Sequence, residues 1–103
     1  MTGANPLRGE AELRVGGDLL VLRPSFAALV AAEGELGPLF ALVERAADGR
    51  LGLAELAVLF WHCIRDRSDA LTREEVGEAV VEQGLTAATP ALRILLGQIL
   101  QGR

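Results

Sequence analysis

Three uncommon residues stand side by side in the stretch "LFWHCIRDRSD". They are Trp61, His62 and Cys63, each the single residue of its type in the chain. A cysteine and a histidine could form a thiolate–imidazole pair for nucleophilic catalysis, or give two ligands to a zinc ion. Either chemistry needs the two side chains to converge. Adjacent residues on a helix point about 100° apart, so His62 and Cys63 cannot reach one substrate atom. One His and one Cys also fall short of the roughly four ligands that zinc takes. Cys63 instead follows Leu56, Leu59 and Phe60 and precedes Ile64 at the spacing of a buried helix face. A thiol in that row acts as a small hydrophobe. His62 projects away from the row, near Val58 and Asp66, and reads as a surface or interface residue. Trp61, at the edge of the row, reads as a core-rim residue or an interface anchor, since tryptophan is enriched at binding hot spots.

The other candidate constellations are weaker still. Glu74, Glu78 and Glu82 recur at i, i+4, i+8 and align three carboxylates on one helix face. A carboxylate-pair enzyme would hold such groups in a cleft. Here they read as a solvated face, with a docking surface for a basic partner as the functional alternative. "DGRLGLAELAVLF" has the start of a calcium loop but lacks the acidic series that would complete it. No phosphate-binding glycine loop and no serine nucleophile elbow are present. The expectation is therefore a protein that is not an enzyme, with no catalytic, cofactor-binding or metal-binding residues and no cofactor.

The elements that must position these residues follow from composition and period. The 103 residues are enough for one modest core but not for a deep enclosed chamber as well. Half of the residues are hydrophobic and only 4% are aromatic, so Ala, Leu and Val fill the interior, and Ala and Leu favour helices. The net charge of −4, with every basic residue an arginine and none clustered, argues against a nucleic-acid surface. No apolar run approaches the roughly 20 residues of a membrane span. The opening "MTGANPLRGE" carries no secretory pattern, and a single cysteine suits a reducing cytoplasm.

Residues 1–8 read as a flexible leader and 9–103 as one domain. In "GEAELRVGGDLLVLR", Ala11, Leu13 and Val15 alternate with charged residues, and Gly16-Gly17 suits a two-residue hairpin turn. That register sets Ala11 opposite Leu22, Leu13 opposite Leu20 and Val15 opposite Asp18, with Glu10 facing Arg23. Leu19 and Val21 then share the outer face, where apolar side chains are out of place on a solvated surface. A lone hairpin is marginal in water, so it must lie on helices or on another chain. Helices are expected at about 25–35, 38–47, 53–66, 73–83 and 87–101. Their stripes are Phe26, Leu29 and Val30; Leu39, Leu42, Val43 and Ala46; Leu56 to Ile64 as above; Val76, Ala79 and Val80; and Leu92, Leu95, Leu96, Ile99 and Leu100. Thr72 and Glu75 have the spacing of a capping box. The fold class is α+β and mostly α, a β-hairpin packed on a small bundle of four to five helices.

The order of these parts also resembles a known family. The stretches that carry the likeness are "RGEAEL", "L-x-P-S-F-A-A-L-x-x-x-E" into the first helix, "G-R-L-x-x-x-E-L" into the third, and "LTREEVGEAVVEQGL". Together they span about Leu7 to Gln101. In these the chain resembles the small tail proteins of gene transfer agents and related siphophage-like prophages, the tail assembly chaperone and tail tube proteins. It departs from them at "FWHCIRDRSD", where the likeness implies smaller residues and more glycine. The family carries no catalytic motif, so no functional residue transfers.

The resemblance implies a non-enzymatic role in building a phage-like tail. A tail assembly chaperone would coat the long tape-measure protein through helix-in-groove contacts, with strand addition at the hairpin edge as a further mode. The alternative is a structural tail tube or tail-completion subunit kept in the particle, its hairpin joining a ring of hairpins from neighbouring copies. A helical DNA-binding regulator built around "DALTREEV" ranks below both, because the acidic charge opposes it. The expected partners are tape-measure or tube subunits, or further copies of this chain, with no nucleic acid and no membrane. The expected place is the cytoplasm or the assembled tail. Candidate partner-binding residues are Leu19 and Val21 on the hairpin and Val58, Trp61 and His62 beside the third helix.

Overall fold

A computed structural model describes residues 9–101, so the leader expected at 1–8 lies outside the described residues. Strands β1 (Ala11–Val15) and β2 (Asp18–Leu22) form an antiparallel hairpin, and five helices follow: α1 (Phe26–Leu36), α2 (Leu39–Ala47), α3 (Leu53–Cys63), α4 (Arg73–Gln83) and α5 (Leu85–Gln101). The hairpin register is Ala11 with Leu22, Leu13 with Leu20 and Val15 with Asp18. Gly16 and Gly17 both take positive φ, 57° and 96°, which a two-residue turn of matching twist requires and which only glycine adopts freely. The face with Ala11, Leu13, Val15 and Leu22 is buried. It packs through β1 on α4 and α5, so the hairpin gains the helical support it needs.

Helix α3 is the axis of the core. It packs against α1 on one side and α4 on the other. Its row Leu56, Leu59, Phe60 and Cys63 is buried, as are Val76, Ala79 and Val80 of α4. Local chemistry sets the helix starts. Ser25 Oγ accepts from the Ala28 N–H at 3.2 Å to begin α1. Thr72 and Glu75 form the reciprocal capping box, the Glu75 N–H donating to Thr72 Oγ1 at 3.2 Å and the Thr72 N–H to Glu75 Oε1 at 2.9 Å. Glu33 of α1 reaches past the Gly37–Pro38 break to accept from the Leu39 N–H at 3.1 Å. It thus caps α2, which leaves α1 at a 75° bend.

Four expectations need correction. Helix α3 stops at Cys63 and does not reach 66. Ile64 turns extended and bridges to Leu22, the Arg23 N–H donates to the Cys63 carbonyl at 2.6 Å, and the Arg65 N–H donates to the Val21 carbonyl at 2.8 Å. Strand pairing therefore ends the helix, where the sequence has no glycine or proline to do so. The stripe of α1 is also rotated. Ala32 is buried and Leu29 half-buried, whereas Phe26 and Val30 face solvent. Alanines let α1 lie close on α3, and that contact outweighs the burial a phenylalanine would gain elsewhere. Helix α5 begins at Leu85, with Pro90 inside it. The Thr89 hydroxyl donates to the Leu85 carbonyl at 2.8 Å in that first stretch. Its buried row is Ala88, Ala91 and Leu95, leaving Leu92, Leu96 and Ile99 half-covered and Leu100 exposed. Lastly, Glu10 does pair with Arg23, but it is buried, on a hairpin face expected to be solvated. Its carboxylate lies 3.8 Å from both Arg23 and Arg65, the latter brought in by the extended turn after α3.

Candidate functional site

Cys63 and His62 point to different places. Cys63 lies in the core, and burial pushes its thiol up to about 12. A protonated, enclosed thiol is a poor nucleophile. The native protein is therefore expected to resist a thiol-specific chromogenic disulfide reagent at pH 8 and to react at once in denaturant. Fast labelling of the folded chain would contradict this placement.

His62 joins a polar cluster that sequence reasoning missed. Its Nε2 donates to the Glu35 carboxylate at the end of α1. Arg73, the first residue of α4, donates to both Glu35 oxygens, at 2.6 and 2.7 Å. Such a bidentate pair has the fixed geometry that makes arginine–carboxylate contacts specific. Trp61 lies alongside. The Arg67 guanidinium sits 4.0 Å from its ring centroid and that of Arg73 5.6 Å, and Arg67 also donates to the Trp61 carbonyl at 2.7 Å. The cluster thus ties α1, α3 and α4 together at one end of the bundle. Nothing in its order of charges along the chain marks Glu35 beforehand, since its partners lie 27 and 38 residues away.

The Arg73 hydrogen bonds, then the His62 one, lower the Glu35 carboxyl from 4.5 to about 2. A carboxylate whose value is depressed in the folded state contributes stability above its unfolded value and loses it as the pH falls through the folded one. The melting-temperature gap between the native protein and Glu35→Gln should therefore be constant above about pH 5 and close between about pH 4.5 and pH 2. The group is open to water, so the gap itself is expected to be small. A gap that is unchanged down to pH 2 would show that the carboxylate charge has no part in it.

This cluster is ionic and self-satisfied, with no nucleophile in it. Among the described residues no group of three or more His, Cys, Asp or Glu could hold a metal ion. No described helix is by itself long and apolar enough to cross a membrane.

The five residues singled out from sequence separate. Leu19, at the hairpin turn, is 51% exposed and offers free apolar surface. Val21, on the same strand, is only 8% exposed, and its carbonyl is taken by Arg65. Val58 and Trp61 are half-buried, and the His62 side chain is mostly enclosed against Glu35. The structure therefore joins Trp61 and His62 in one cluster but does not bring them to Leu19.

The larger uncovered apolar surface lies on the helices. Phe26 of α1 is 86% exposed and Phe40 of α2 is 78% exposed. Val30 stands four residues after Phe26, on the same helix face, and is exposed too. For Phe40 a signal existed, because it lies about 100° round the helix from Leu39 and so falls beside the stripe Leu39, Leu42, Val43 and Ala46. A further apolar depression lies between α3 and α4. It holds about 530 Å³, with Leu53, Ala54, Ala57, Gly77 and Val81 along it and Glu74, Glu78 and Glu82 at its margin.

A family model described as phage tail tube protein, GTA-gp10, matches residues 8–102. No curated protein matches the chain, and no solved structure does.

Proposed function

The chain belongs to the phage tail tube protein family GTA-gp10, and from that premise we propose that it is a tail assembly chaperone, a non-enzymatic protein that binds the tape-measure protein. The observation that carries this reading is the exposure of Phe26 and Phe40, two of the three phenylalanines in the chain. Leaving such side chains in water forgoes the roughly 1.5–3 kcal/mol each would gain by burial. A contiguous exposed apolar patch, such as Phe26 with Val30 on one face of α1, marks an interaction surface. Both phenylalanines lie on helices, which suits docking against the apolar stripes of a long helical protein. A chaperone of this kind keeps its client soluble until tube subunits polymerise around it.

A second reading, a tube or tail-completion subunit retained in the particle, draws support from the description of the family itself. The hairpin gives it less. A ring of hairpins would use the outer face, where Val21 is covered, and the β2 edge, which Ile64 and Arg65 occupy near Leu22.

The test is an affinity pull-down of the tagged chain from host cells induced to make tails, with the purified particles analysed in parallel. The chaperone reading expects a very long, helix-rich tail protein in the pull-down and none of this chain in finished particles. Stoichiometric copies in the particles, with only tube subunits or the chain itself recovered, would replace it with the structural reading.

A further inference from the structure

We propose that the groove between α3 and α4 seats an amphipathic helical segment of another tail protein, one whose apolar stripe is flanked by lysine or arginine. The inference rests on the reading that this chain binds a tail protein, and it specifies the chemistry of the segment bound.

The floor is built for close approach. Gly77 of α4 faces Ala57 of α3, and a Cβ on the glycine would stand 3.9 Å from the Ala57 Cβ, at ordinary van der Waals contact, so the floor here is lined by small residues. Ala54 and Ala57 keep the α3 side low, and Leu53 and Val81 stand up at its margins, 44% and 60% exposed. Small residues in a shallow apolar trough admit a helix backbone, and the taller aliphatic side chains grip its stripe. The trough runs along α4, whose 11 residues span about 16 Å, so it fits two to three turns of a partner helix.

The charge along the trough selects the partner. Glu74, Glu78 and Glu82 follow one another up α4, about 6 Å apart. None of the three makes an ion pair among the described residues. Arg73, the nearest cation on α4, is held by Glu35. Like charges at this spacing destabilise a helix slightly. Glu82 lies in the last turn, where the helix dipole also disfavours an anion, and that turn has no basic residue. Glu74, in the first turn, is favoured by the dipole, but Glu78 and Glu82 cost the isolated chain a little stability and would be relieved by cations from outside. Among the described residues, no helix of a second copy carries a row of cations to match. The described helices carry at most one arginine each, and that of α2, Arg45, is paired with Glu55. The occupant is therefore a different chain.

The test uses a labelled synthetic helix with leucines at i, i+3, i+4 and i+7 and flanking lysines, beside a twin with glutamates in place of the lysines. Binding to the full chain is read by fluorescence anisotropy. The lysine peptide should bind, and bind more weakly as salt rises. Binding should drop at least about tenfold for Val81→Asp and for the double variant Glu78→Lys, Glu82→Lys, while the glutamate twin should not bind. Both variants change exposed side chains, and an unaltered melting curve checks that they fold. Equal binding of the twins, or binding indifferent to Val81→Asp, overturns the proposal. So does self-association that Val81→Asp abolishes in the absence of peptide binding, which assigns the groove to a second copy. If the pull-down recovers a long tail protein but the peptide does not bind, the groove assignment fails and the chaperone reading stands. The converse pair of results leaves the groove and removes that client.

Discussion

Replacing Phe60 by alanine is expected to destabilise the protein by about 3–5 kcal/mol, the largest effect of any single core truncation here. Phe60 is the largest fully buried side chain and sits on α3, which contacts α1 on one side and α4 on the other. Removing its ring loses transfer free energy and leaves a void that both neighbours line. The void cannot close cheaply, because Leu42, Leu59, Val76 and Val80 around the core are themselves fully buried. A domain of this size has roughly 5–15 kcal/mol in all, so the variant should lose from about a fifth of its stability to nearly all of it. Guanidinium titration checks this. The midpoint should fall sharply at unchanged slope. A loss below about 1 kcal/mol would mean that the site repacks and that α3 is not the axis of the core.

The contrast between Phe60 and Phe26 shows what was legible in the sequence. The row Leu56, Leu59, Phe60, Cys63 and Ile64 has five large or sulfur-bearing side chains at helical spacing, whereas the other apolar residues of α3, Leu53, Ala54, Ala57, Val58 and Trp61, are spread over its remaining faces and include two alanines. Its burial could be read directly, as could that of Val76, Ala79 and Val80. The hairpin register was equally plain, because the Gly16-Gly17 turn and the alternation of Ala11, Leu13 and Val15 agree. Helix α1 was not legible. It is apolar almost all round, so its period does not choose a face, and the larger residues Phe26 and Val30 outweigh the alanines in any reading by hydrophobicity. The packing chooses Ala32, for closeness. Helix α5 repeats the lesson with Ala88 and Ala91. The end of α3 was hidden for a different reason. Its stop comes from pairing with β2, more than 40 residues away, and no local signal encodes it.

The candidate site divides along the same line. Trp61 and His62 attract notice by their types, but their roles are set by Glu35, Arg67 and Arg73. Only the fold brings that acid and those two guanidiniums together. The alignment of Glu74, Glu78 and Glu82 needs only the period of one helix and was visible at once. That an apolar trough runs beside them depends on how α4 packs on α3, with Gly77 facing Ala57.

Phe26→Asp and Phe40→Asp should each leave the fold intact and reduce capture of the proposed tape-measure client by at least about thirtyfold, a hot-spot effect of roughly 2 kcal/mol or more. The stability side follows from exposure. Neither ring is packed in the core, so each change should move unfolding by no more than about 0.5 kcal/mol. The binding side follows from what a carboxylate does in an apolar contact. It must be stripped of water without a partner, which adds a penalty to the loss of the ring. Phe26 acts with Val30 on one face of α1, whereas Phe40 is on α2 across the 75° bend. If the two faces meet separate stretches of the client, the double variant should lose the sum of the single effects; if one stretch spans both, the losses should fall short of additive. Co-purification and the titre of finished particles measure the outcome, with Phe60→Ala as the control that fails through unfolding. Full capture by both aspartate variants at unchanged stability would remove Phe26 and Phe40 from the interface and, with them, the observation on which the chaperone reading stands.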